Sequence, residues 1–173
     1  YDCAVPLGPA LKTPVPVLNA APLLAAAGSI NAGLVPPTWS VTATAVPLLR
    51  QALAFVGHVQ TRNRGTAGGS LVHADPSAEL PLVAQILDAR LVMRSKAGTR
   101  ALPAAAFFEG AMTTSLAPDE CLEEIHWPVW RESKTGSAFT EISRRHGDFA
   151  MVAAAAQVAV DDEGRCTRAT FGV

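Results

Sequence analysis

From Val46 onward, apolar positions fall into short regular patterns. Leu48, Leu49, Ala52, Leu53 and Val56 recur at helical spacing, which predicts a helix over about 47–56 with Pro47 in its first turn and Gly57 as its stop. Leu80, Val83, Ile86 and Leu87 form a second apolar stripe, a helix over about 78–88 for which Asp75 and Ser77 are candidate caps. Between the two, Thr61 to Ser70 reads as a basic loop containing glycines. Leu91 to Arg94 then reads as a strand, Lys96 to Thr99 as a turn and Arg100 to Leu102 as the return. Pro103 to Phe108 reads as a short helix. Ile125 and Trp127 alternate with Glu124 and His126 in a strand near 122–127, ended by Pro128. Residues 137–143 and 150–160 are strand candidates joined by a polar connection, Arg144 to Asp148, although Ala153 to Ala156 suits a helix equally on propensity alone. Asp161 to Gly164 is a turn, and Arg165 to Phe171 is the returning strand. The class is α+β, with the helices expected on a small mixed sheet.

Residues 1–45 lack this order. They hold two charged residues, Asp2 and Lys12, and prolines at 6, 9, 14, 16, 22, 36 and 37 that exclude long helices. Val15 to Leu18 suits a short strand and Leu23 to Ala27 a single helical turn, but the segment as a whole stays unassigned.

Composition narrows the class of function. With 173 residues, 49% hydrophobic and 17% charged, the chain has a globular balance sized for one domain or two small subdomains. A net charge of -1 gives no reason to expect nucleic acid as a partner. Every apolar run is broken before the roughly 18 residues a membrane span needs. Cys3, Cys121 and Cys166 are scattered, which argues against a disulfide framework and against a zinc or iron–sulfur site built by this chain, and suits a reducing compartment. The start, Tyr1-Asp2-Cys3-Ala4, lacks both an initiating Met and the pattern of a signal peptide, so an internal fragment is one expectation.

The stretch richest in chemistry is Arg62-Asn63-Arg64-Gly65-Thr66-Ala67-Gly68-Gly69-Ser70. Consecutive glycines let backbone N–H groups converge on one anion as a nest, and Thr66 and Ser70 add hydroxyl donors, a combination suited to a pyrophosphate. A plain glycine turn accounts for the pattern equally well. No Lys follows the glycines, so this is not a P-loop, and Gly-x-Gly-x-x-Gly is absent. Arg62 and Arg64 are expected to be solvated, His146 and Asp148 to lie in a solvated turn, and Cys121 and Cys166 to be packing residues.

Thr66-Ala67-Gly68-Gly69-Ser70 followed by His73-Ala74-Asp75-Pro76-Ser77-Ala78-Glu79-Leu80-Pro81 resembles the second flavin-binding segment of the medium subunits of molybdenum hydroxylases, the family of carbon monoxide dehydrogenase and bacterial relatives of xanthine dehydrogenase. Gly57-His58, Arg62 to Gly65, Phe107-Phe108, Pro118 to Glu120, and Phe139 with Arg144 to Ala150 fit the same family in the same order, from Val46 to the end. The resemblance implies an FAD-binding subdomain over 46–131 and the start of a C-terminal α+β domain over 132–173. It implies FAD as cofactor, with Thr66, Ala67, Gly68, Gly69 and Ser70 cradling the pyrophosphate. Glu79 would accept hydrogen bonds from hydroxyls of the flavin's sugar-like chain, Leu122 would line the ring pocket, and Thr140 would touch the flavin from the following domain. No catalytic or metal-binding residue is implied here. The implied function is a cytoplasmic electron-transfer subunit: electrons come from iron–sulfur clusters on a small partner, released by a molybdenum-binding large subunit, and leave through FAD to an external acceptor. The family's earlier Ala-Gly-Gly-rich flavin loop is absent from residues 1–45, where Ala27-Gly28-Ser29 and Ala32-Gly33-Leu34 lack a doubled glycine. The alternatives are therefore a truncated, non-enzymatic fragment that binds no FAD, or a nucleotide-binding module independent of FAD.

Overall fold

The computed structural model describes residues 45–173 apart from Asn63. The expectations for Val15 to Leu18, for Leu23 to Ala27 and for the Gly28 and Gly33 echoes lie outside the described residues. The first helix, α1 (Pro47–Leu53), starts on its proline and buries Leu48, Leu49, Ala52 and Leu53. It ends at Ala54, earlier than Gly57; that glycine instead takes a left-handed conformation, φ +51°, in the turn before α2 (Val59–Arg62).

The segment Thr61 to Ser70, expected to be a loop, instead takes in the end of α2 and the start of α3 (Ala67–His73). Thr66 explains the second: its backbone is extended, and its hydroxyl oxygen accepts the Gly69 N–H at 2.9 Å, an N-cap that starts a helix through the two glycines. α4 (Glu79–Leu87) buries Leu80, Val83, Ala84, Ile86 and Leu87 as its stripe predicts. Neither expected residue caps it. Its N-cap is Ala78, which has no side-chain acceptor, and Asp75 folds its own carboxylate onto the Ser77 N–H at 2.8 Å.

The strands fall where the sequence reading expects them. β1 (Arg90–Ser95) pairs antiparallel with β2 (Gly98–Pro103) and with β5 (Cys121–His126), in the order β2-β1-β5. α5 (Ala104–Phe107) leads into the small hairpin of β3 (Phe108–Gly110) and β4 (Thr113–Thr114). The third sheet is β6-β7-β8, formed by β6 (Lys134–Ile142), β7 (Val152–Val160) and β8 (Cys166–Gly172). Ala153 to Ala156 are strand, because β6 and β8 satisfy the β7 backbone on both sides and this overrides alanine's helix propensity. Every pairing among these strands is antiparallel, so the expected mixed sheet is instead three antiparallel ones. Short connections account for the β1–β2, β3–β4 and β7–β8 pairs, since parallel neighbours need long crossovers.

One apolar core joins the parts. Leu48, Leu71, Leu80, Leu91, Phe107 and Ile125 meet there with Phe139 and Ala155 from the third sheet. Phe55 and Phe139 stack with ring centroids 5.3 Å apart, and Gln51 Nε2 donates to the Ser137 carbonyl at 3.1 Å. Cys121 and Cys166 are both free and exposed rather than packed, because each opens a strand at its solvent-facing end. Among the described residues, no helix is long and apolar enough to cross a membrane.

Candidate functional site

The predicted residues fall on two features. The first is the start of α3. The N–H groups of Ala67 and Gly68 fall in the first helical turn and so have no intrahelical acceptor. The Gly69 N–H is taken by Thr66, and the Ser70 N–H returns to the Thr66 carbonyl at 3.1 Å. The glycines therefore act through a helix N-terminus and not through the αR–αL alternation of a nest; neither has a positive φ. Thr66 and Ser70 add hydroxyls at the same end. A Cβ built on Gly68 would meet only Leu122 Cδ2, at 3.9 Å, so the space beside Gly68 is open and Leu122 borders it. A Cβ on Gly69 would lie 2.9 Å from Thr66 Oγ1, the atom that caps the helix. Gly68 therefore leaves room for a ligand, and Gly69 leaves room for the cap.

The second feature is Glu79. It is 8% exposed, in the first turn of α4, where a helix dipole favours negative charge. Burial pushes its carboxyl up to about 7, opposed by a hydrogen bond from its own backbone N–H and reinforced by the nearby charges of Glu141 and Asp75. Burial of a carboxyl costs stability, and a carboxyl raised in this way marks a candidate functional group.

Thr140 does not join these residues. Alternation along β6 turns Phe139 inward and leaves Thr140 exposed, with its side chain on the opposite face of the sheet. Glu141, which the sequence reading passed over, takes the inward direction. Both its carboxylate oxygens are buried without a hydrogen-bond partner, and burial raises its carboxyl while His146 opposes the shift. The period-two count from Phe139 was the available signal. Arg64 is exposed, whereas Arg62 is half-buried with its Nε lacking a partner. Asp148 lies 3.4 Å from His58, and His146 stands edge-on to Phe55, so the two do not act as a pair. No cluster of His, Cys, Asp or Glu suited to a metal ion occurs among the described residues.

A glycine-bearing helix start with free N–H donors, faced by an apolar side chain and followed by a buried carboxyl, has the donor set of a site for a dinucleotide cofactor. The family described as "FAD binding domain in molybdopterin dehydrogenase" matches residues 36–130. Subunit alpha of the 6-hydroxypseudooxynicotine dehydrogenase complex of Paenarthrobacter nicotinovorans is 43% identical over 74% of this chain and 43% of its own length. The xanthine dehydrogenase FAD-binding subunit of Escherichia coli O157:H7 is 31% identical over 78% of this chain and 47% of its own. Quinoline 2-oxidoreductase from Pseudomonas putida 86 superposes with a TM-score of 0.70 at 39% identity, covering 79% of this chain and 46% of that one. The chain belongs to the family of FAD-binding domains of molybdopterin dehydrogenases. It spans less than half the length of these relatives.

Proposed function

We propose that this chain is the flavin-holding part of an oxidoreductase subunit, in which the α3 N-terminus binds the FAD pyrophosphate. The observation that carries this reading is the open space beside Gly68, bordered by Leu122 and faced by the unpaired N–H groups of Ala67 and Gly68. An oxyanion there gains backbone donors, the Thr66 and Ser70 hydroxyls and the positive end of the helix. Glu79 would accept the hydroxyls of the flavin's sugar-like chain, and Leu122 would shield one side of the site. We assign residues 46–131 to this cofactor-binding subdomain, and 132–173 to the start of a following domain whose first sheet packs on α1 and α4. Thr140 would reach flavin only from the outer face of that sheet, so it is the weakest member of the set.

FAD, when bound, would supply the redox chemistry that links iron–sulfur clusters on one partner to an external acceptor. The chain's own residues bind and orient it and exclude water. Partners would be a molybdenum-binding large subunit and an iron–sulfur small subunit, acting in the cytoplasm. Titration of the purified chain with FAD, followed by calorimetry and by the visible spectrum, tests the reading: saturable binding with a protein-perturbed flavin band is expected. Absence of binding would favour the non-enzymatic fragment.

A further inference from the structure

The β6-β7-β8 sheet gives one face to the core and leaves the other bare. Of the eight large apolar side chains that stand exposed among the described residues, seven lie on this sheet, on its β6–β7 connection or directly after β8. Phe171 is 82% exposed and Ile142 64%. The period of two places Ile142, Val152, Val158 and Phe171 on the outer face, where the register sets Ile142 beside Val152 and Phe171 beside Ala156. Between residues 136 and 142 of β6, along all of β7, and from 169 to 171 of β8, no outward side chain is ionisable. At one end Lys134 and Asp162 pair with each other at 3.2 Å. A contiguous uncharged face of this extent is uncommon on a monomer and marks a surface that associates.

The face is uneven across its width. Phe171 makes a ridge on one edge strand, β8. Gly136, Ala138 and Thr140 make a furrow on the other edge strand, β6, and a Cβ built on Gly136 would meet nothing within 4 Å. Ala156 of β7 pairs with Phe171 on one side and Ala138 on the other, so ridge and furrow stand at the same level of the sheet. One symmetry operation brings them together. A two-fold axis along the strands, midway between two copies laid face to face, sets β8 of each copy over β6 of the other, and Phe171 over Ala138 twice. We propose that a second copy of this chain covers this face in solution through that pairing. Two strands of nine residues and one of seven offer roughly 400 Å² per copy in projection, below the usual size of a stable interface. The dimer is therefore weak and reversible, formed at micromolar concentration or above. It takes Thr140 into the interface, out of reach of a flavin. The inference is independent of the flavin reading.

Sedimentation equilibrium of the purified chain, from about 1 to about 500 μM, tests the pairing. A reversible monomer–dimer equilibrium is expected. Ala138→Lys and Phe171→Glu each bury an unpaired charge in the interface, and each should weaken dimerisation at least about tenfold. In an equal mixture the two variants should associate again. One of the two Phe171–Ala138 contacts in the mixed pair is then native, and the other sets opposite charges against each other. A wild-type chain that stays monomeric throughout overturns the proposal and leaves the face to a different partner. Dimers that survive both substitutions overturn the choice of this face. A mixture that stays monomeric overturns the two-fold pairing. Should either variant not fold, the wild type decides alone by NMR. Shielding of the Ala138 and Phe171 protons from a soluble gadolinium chelate should grow with protein concentration, and constant shielding overturns the pairing.

Discussion

A methyl group added at Gly68 and one added at Gly69 should have opposite consequences. At Gly68 it points into open space 3.9 Å from Leu122, and alanine is the better helix former by up to about 1 kcal/mol. Gly68→Ala is expected to keep or raise the melting temperature while weakening FAD binding about tenfold, because the methyl occupies the cradle. At Gly69 the same methyl meets Thr66 Oγ1 at 2.9 Å. Gly69→Ala should therefore cost about 1 kcal/mol of stability through the damaged cap. Valine at Gly69 would confound the two effects. Parallel melts and FAD titrations separate them, and equal flavin affinity in wild type and Gly68→Ala would count against the pyrophosphate assignment. Glu79 offers a second test. Below about pH 4.5 its carboxyl is neutral both folded and unfolded, and contributes no pH dependence. Between there and about 7 the folded chain keeps a proton that the unfolded chain loses, so stability falls as pH rises, by about 3 kcal/mol in all. Glu79→Gln should therefore melt several degrees above wild type at pH 8.5 and level with it near pH 4.5. A gap independent of pH would contradict a buried, uncompensated carboxyl.

Individual elements show why some of the fold is readable from sequence and some is not. The stripes of α1 and α4, and the alternation in β5, announce themselves, because each element has one face on the core and its period is set by that burial. α3 does not. Two glycines outweigh Leu71 in any propensity count, and the helix exists because Thr66 caps it and Leu71 anchors it. The pyrophosphate cradle was thus legible as residues, through the family resemblance, but not as geometry. Glu141 was missed because a polar residue among strand residues looks solvent-facing until it is counted against Phe139. The loop before β5 fits the family through Pro118 to Glu120, but its sequence does not show that an ion pair holds it. Arg100 Nε and Nη2 each donate to Glu120 at 2.6 Å, Arg100 Nη2 also reaches the Ser115 carbonyl, and Glu120 accepts the Ala117 N–H. Arg100 holds the Glu120 carboxyl down to about 2. The clamp is therefore complete above pH 4.5 and is lost as pH falls through about 2. Glu120→Gln should raise amide exchange at Ala117 at neutral pH without moving the helices. Unchanged protection there would mean that the clamp adds nothing to loop order.

For the whole molecule, the question is whether the β6-β7-β8 sheet folds with the helices or beside them. Its inner face is sparse: Ala153, Ala155 and Ala159 are small, and Gln157 is buried without a partner for Oε1. Phe139 is the one large side chain this sheet sends into the shared core, where it stacks on Phe55. The Gln51–Ser137 hydrogen bonds are the polar counterpart of that contact. Replacing Phe139 with Ala removes the stacking and leaves a cavity, a change that costs about 3 kcal/mol in a well-packed core. Because little else couples the sheet to α1, the loss should fall on cooperativity as well as on stability. The wild-type chain is expected to unfold in one transition, with near-ultraviolet and far-ultraviolet signals coincident. Phe139→Ala should separate them, the third sheet losing amide protection at lower denaturant than α1 and α4. Since Glu141 lies two residues beyond Phe139 on the same face, the separation should also hydrate Glu141 and lower the pH at which Glu79 titrates. A single coincident transition in Phe139→Ala, shifted only in midpoint, would show instead that the small side chains of β7 hold the sheet in place unaided.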